Sequence, residues 1–122
     1  HEIMIWRAYI SGAIGKCYKV MHEFGYGLDD CKVWRFWDPD QPVKIEGVNA
    51  NAIVFARGGK AMVIATDFGE GGELRLQVDS KTLGLQPDFQ ASDAENGEKL
   101  PLAEGKVRVA LKRHDFRMIR LE

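Results

Sequence analysis

The sequence predicts a mainly β chain, an antiparallel β-sandwich of Greek-key type preceded by one N-terminal α-helix. Three observations predict it. From residue 43 onward, short apolar runs alternate with clusters of Gly, Pro, Asn and Asp, the rhythm of strands joined by turns. Two of these runs, Ala52-Ile53-Val54-Phe55-Ala56 and Ala61-Met62-Val63-Ile64-Ala65, flank Arg57-Gly58-Gly59-Lys60, and paired glycines supply the positive φ angles that a tight hairpin demands. Residues 1–24, by contrast, repeat their apolar side chains every three or four positions, which places them on one face of a helix.

Within that helix, Ile3, Trp6, Ile10, Ala13, Cys17, Val20 or Met21, and Phe24 form the main stripe. A second line through Ile5, Tyr9, Ile14 and Tyr18 widens it beyond what a small sandwich would cover. Gly25 and Gly27 then provide a helix stop. Gly12 and Gly15 each cost about 1 kcal/mol of helix propensity, which packing or a close helix contact must offset. Residues 32–37 alternate as a strand does, with Val33, Arg35 and Trp37 on one side and Trp34 and Phe36 on the other. The stretch Asp38-Pro39-Asp40-Gln41-Pro42 reads as a boundary, because proline removes backbone donors and fixes φ. Two parts are therefore expected: residues 1–42, a helix with an aromatic strand, and residues 43–122, the sandwich.

Strands of the sandwich are expected at 43–47, 51–56, 61–66, 73–78, 89–92, 107–111 and 116–121. Asn96-Gly97 and Glu104-Gly105 mark further turns, and residues 79–85 read as a single capped helical turn.

Composition excludes several classes of function. Hydrophobic residues make up 45% and charged residues 29% of the 122-residue chain, the balance of a folded soluble domain. Seventeen Lys plus Arg against 18 Asp plus Glu leave a net charge of −1, without the basic clusters that hold a phosphate backbone, so no nucleic-acid partner is expected. No apolar run is long enough to suggest a membrane-spanning helix, and no membrane partner is expected. The first residue is His1 and not Met, so the chain is expected to be processed or part of a longer protein. Cys17 and Cys31 lack a CxxC spacing and read as two semi-buried thiols in preference to a disulfide.

The residues that carry chemistry are sparse. His1, His22 and His114 have no metal-ligand spacing, and no metal or other cofactor is expected. Asp29-Asp30 and Asp38-Pro39-Asp40 read as solvated turn formers. Gly69-Glu70-Gly71-Gly72-Glu73 lacks the Gly-Lys-Ser/Thr ending of a phosphate loop, and Ser11, Ser80 and Ser92 stand outside any GxSxG setting. The sequence therefore offers no catalytic residue. Trp34, Phe36, Trp37 and Asp38 form the one aromatic cluster. Stacked indoles beside a carboxylate could bind a sugar ring, which makes Trp34, Trp37 and Asp38 the candidate carbohydrate-binding residues, although core glue is the favoured reading of the same rings.

Taken together, Ile53-Val54-Phe55-Ala56-Arg57-Gly58-Gly59-Lys60-Ala61-Met62-Val63-Ile64, Leu83-Gly84-Leu85, Asp93-Ala94-Glu95-Asn96-Gly97 with Leu100-Pro101-Leu102, Val107-Arg108-Val109, and Asp115-Phe116-Arg117-Met118-Ile119-Arg120-Leu121 carry a resemblance. This order resembles the C-terminal β-sandwich domain that follows the (β/α) barrel in glycoside hydrolase-like proteins, among them family 123-like and α-galactosidase-like enzymes. Residues 1–42 are similar to the end of such a barrel, with its last helix and an aromatic strand entering the sandwich. The resemblance implies an accessory domain that is not an enzyme by itself. Its partner would be the barrel of the same polypeptide, and the catalytic carboxylates would lie on barrel strands that this chain lacks. Two alternatives stand beside it: a carbohydrate-binding module using Trp34, Trp37 and Asp38, and an interaction protein that pairs with a second copy through the N-terminal helix.

Overall fold

The computed structural model describes residues 23–24, 31–35, 38–103, 105–113 and 115–122. They form two antiparallel sheets. The strands are β1 (Lys32–Trp34), β2 (Val43–Glu46), β3 (Ala50–Arg57), β4 (Lys60–Asp67), β5 (Gly72–Val78), β6 (Ala91–Asp93), β7 (Lys99–Leu100), β8 (Leu102–Ala103), β9 (Lys106–Leu111) and β10 (Phe116–Leu121), with one short helix, α1 (Ser80–Leu83), between β5 and β6. One sheet has six strands in the order β1-β3-β4-β10-β6-β7 and the other has four in the order β2-β5-β9-β8.

The predicted hairpin is the centre of the larger sheet. Arg57 pairs with Lys60 around Gly58 and Gly59, whose φ angles of 58° and 81° are both positive, as a two-residue hairpin turn requires. Along β3 and β4 the inward cross-strand pairs are Ala52 with Ala65, Val54 with Val63 and Ala56 with Ala61. These small residues meet larger ones from the other sheet, Leu74, Leu76, Val107, Val109 and Leu111, in a single core cluster closed by Leu83, Leu85 and Phe89 from the α1 connection. Interdigitation of small and large side chains is what lets two sheets approach to about 10 Å.

A second cluster lies on the outward face of the six-stranded sheet, where Phe55, Met62, Ile64, Phe116 and Met118 join Phe24. Strand β4 is therefore buried on both faces. A continuous apolar run such as Ala61 to Ala65 is the pattern such a strand shows. The four-stranded sheet differs: its outward positions carry Lys44, Glu73, Gln77 and Arg108, all exposed. That face is solvated and charged.

The helix expected over residues 1–24 lies outside the described residues except for Glu23 and Phe24, which are helical; the complete helix that is described is α1, inside the sandwich and not ahead of it. Strand β1 pairs with β3, so the larger sheet takes in residues from before the Asp38-to-Pro42 turn. The turn carries the chain from β1 in one sheet to β2 in the other. Finally, the strand expected at 89–92 starts at Ala91, because the Phe89 N–H closes a turn on Gln86 O at 3.1 Å and its ring plugs the core.

The expected capped turn is present as α1. Asp79 caps it, accepting from the Thr82 hydroxyl at 2.7 Å and the Thr82 N–H at 3.3 Å. The hydroxyl bond first, and the backbone bond after it, hold the Asp79 carboxyl below the ordinary carboxylate value of 3.8. No described helix is long and apolar enough to cross a membrane.

Candidate functional site

Of the three candidate sugar-binding residues, Trp34 and Asp38 are described and Trp37 is not. Trp34 is half-buried and packs against the core between the sheets. Its register opposite Val54 turns it to the inner side of the sheet, since Val54 belongs to that core. Asp38 accepts the Arg35 N–H at 2.7 Å, and its own N–H returns to Arg35 O at 3.0 Å, so the carboxylate closes a local turn. Gln41 then fastens this turn to the sheet, its amide donating to Arg35 O at 3.0 Å and to Ala52 O at 2.8 Å. Both described candidates are thus engaged in joining β1 to β3.

A polar concavity lies elsewhere. At the end of the sandwich where β4 and β9 finish and β5 and β10 begin, a cleft of about 290 Å³ is lined by Asp93, Glu95, Asn96, Lys112, Asp115 and Arg117. A shallower groove of about 580 Å³ adjoins it through Ala110 and Arg117, bordered by Glu73, Glu98, Lys99 and Arg108.

Asp93 and Arg117 organise this end. The Asp93 side chain is 5% exposed, and its Oδ2 meets Arg117 Nη2 at 2.8 Å. Its Oδ1 accepts the N–H groups of Glu95 at 2.8 Å and Asn96 at 3.2 Å. Arg117 also donates from Nη1 to Ala110 O at 3.1 Å. One carboxylate thereby holds the β6–β7 turn and one guanidinium ties β10 to β9 across the two sheets. These bonds fasten the β6–β7 turn to β10 and β10 to β9.

Sequence reasoning missed this pair, quoting both residues only as part of wider motifs. Its signal was modest: an aspartate at the end of β6 and an arginine near the start of β10. Thr66 and Asp67 are likewise buried, at 4% and 2% exposure, on the last residues of β4. Among the described residues no three His, Cys, Asp or Glu side chains gather as metal ligands. His1, His22, His114 and the pair Asp29-Asp30 lie outside the described residues.

No curated protein matches the chain. The family model that does match is the C-terminal domain of glycoside hydrolase 123, over residues 15–105. That span takes in strands β1 to β8, from both sheets, and ends at the turn before β9. The chain therefore belongs to the glycoside hydrolase 123 C-terminal domain family.

Proposed function

We propose that this chain is a non-catalytic accessory domain that supports the catalytic (β/α) barrel of a glycoside hydrolase-like protein. The family match over residues 15–105 is the observation that carries this reading. The geometry agrees with it: Asp93 and Arg117 in the polar cleft are bonded to each other and to backbone groups, which suits a structural part. Residues 1–42 would lead from the barrel into the sandwich, with β1 as the entering strand. The Greek-key winding is part of the same reading. It is supported by β2 pairing with β5 while the intervening β3–β4 hairpin lies in the other sheet.

The carbohydrate-binding alternative draws no support from Trp34, whose ring packs on the core. A test needs the protein encoded around this sequence, produced with and without the sandwich, beside the 122-residue chain alone. On an aryl glycoside, activity should follow the barrel, and removal of the sandwich should lower the barrel's thermal midpoint. Glycoside hydrolysis by the isolated chain would overturn the proposal, as would a coding sequence with no barrel in frame.

A further inference from the structure

The cleft and the groove that meet at Ala110 and Arg117 form one trough along the side of the sandwich. Strand lengths explain why that side is open. Strand β8 has two residues while its partner β9 has six, because at Pro101 the chain crosses from β7 in one sheet to β8 in the other. On that edge, only Lys106 and Val107 of β9 have a described strand beside them. From Arg108 to Lys112 the edge continues for four residues, about 13 Å at the usual strand rise.

An open edge can take an added strand from a peptide. Here two of its backbone groups are already engaged: the Arg108 N–H bonds Pro101 O at 3.0 Å, and Ala110 O takes Arg117 Nη1 at 3.1 Å. A peptide strand would have to displace the Arg117 guanidinium, which Asp93 holds at 2.8 Å. Charge decides among the other ligand classes. Five carboxylates and four cations line the trough, so a polyanion or a polycation would meet like charge over about half of it. Lys99, Arg108 and Lys112 are exposed and pair with no carboxylate among the described residues. Their N–H groups only donate, whereas the carboxylates of Glu73, Glu95 and Glu98 only accept. A hydroxyl does both. The groove also has an apolar lining of Leu100, Pro101, Val109 and Ala110. A saccharide, with hydroxyls around its rim and C–H groups on its ring faces, answers both kinds of wall.

We propose that this trough binds a short neutral oligosaccharide, with Lys99, Arg108 and Lys112 donating to its hydroxyls. The volumes of its two parts, about 290 and 580 Å³, suit a ligand of a few rings. Phe116, the aromatic residue in its lining, is 1% exposed and offers no stacking surface. Binding is therefore weak, with a Kd on the order of 1 mM. The site is separate from the turn that holds Asp38. It goes beyond the accessory-domain reading and needs no barrel, so each can fail alone.

An isotope-labelled sample of the full 122-residue chain tests it by nuclear magnetic resonance, titrated with neutral trisaccharides of glucose, mannose, galactose and N-acetylglucosamine. At least one should shift the amide signals of Arg108, Ala110 and Lys112 saturably. Arg108→Ala combined with Lys112→Ala should weaken that binding at least tenfold. Lys44→Ala, on the strand at the opposite edge of the same sheet, should leave it unchanged. Thermal unfolding checks that the variants keep the fold, and Lys99→Ala carries the comparison if the double variant does not. Saturable shifts confined to other surfaces, or none with any of these sugars, would overturn the proposal. Binding that survives the trough substitutions would do the same. Shifts produced only by a hyaluronan tetrasaccharide would also overturn it, by making the trough an anion site.

Discussion

At the scale of single residues, Asp93 has the most to lose. Its carboxylate satisfies two backbone N–H groups and one guanidinium while nearly buried, so Asp93→Ala removes the acceptor and leaves Arg117 unpaired. Breaking a buried pair from one side costs about 3–5 kcal/mol, and Asp93→Ala should fall near that range in chemical denaturation. Asp93→Asn keeps an acceptor for the turn and should cost less, about 1–2 kcal/mol. Equal costs for the two variants would show that the charged pair with Arg117, and not the turn bonds, sets the requirement. Gly71 offers a second residue-scale prediction. An added Cβ would stand 2.6 Å from Leu111 O and 2.7 Å from Arg113 N, both backbone atoms that cannot swing aside. At Gly97, where φ is also positive, the same Cβ meets nothing within 4 Å. Gly97→Ala should therefore cost only the left-handed penalty, roughly 1–2 kcal/mol, and Gly71→Ala clearly more. Thermal unfolding of the two variants gives the comparison, and a milder effect at Gly71 would count against the close approach of the β4–β5 and β9–β10 loops.

At the scale of elements, α1 carries a pH dependence with a defined sign. The Asp79 carboxyl is held below its ordinary value by bonds from Thr82. Its contribution is therefore complete above pH 3.8 and is lost as pH falls through the lower folded value. Asp79→Ala should lower the denaturation midpoint at neutral pH, and the gap from the unaltered chain should close in acid. A gap that is constant with pH would rule out the charged cap. The same elements show what was legible in advance. Strands β2 to β5, β9 and β10 could be read because each has enough residues for a period and a Gly, Pro, Asn or Asp boundary. Strands β7 and β8 were not legible: two residues each around Pro101 hold no periodicity. The strand expected over residues 32–37 could be placed, but the side of the sheet taken by Trp34 depended on pairing with Val54, a long-range contact that alternation alone does not specify. For the same reason the Asp93–Arg117 bond stayed hidden, since its partners come from strands whose adjacency is a property of the sheet order.

At the scale of the whole molecule, the two outward faces differ in kind, apolar and buried on one sheet, charged and exposed on the other. This asymmetry gives the domain a direction, because the charged face suits water and the apolar face suits a packed layer. Between the faces there is one shared core, in which Ala52, Val63 and Ile119 of one sheet belong to the same cluster as Leu74, Leu76 and Val107 of the other. Neither sheet can open alone without exposing the inner side of both. Unfolding should therefore be a single transition, with far-UV circular dichroism and tryptophan fluorescence tracing the same curve in denaturant. Leu76 is fully buried on β5, so Leu76→Ala should cost about 2–5 kcal/mol through lost burial and a residual cavity. Because that cavity faces both sheets, the midpoint should fall while the dependence on denaturant stays unchanged. A second transition in this variant, or curves that separate by probe, would mean that the sheets are held by separate cores and that the packing of Leu76 against Ala and Val pairs is not what joins them.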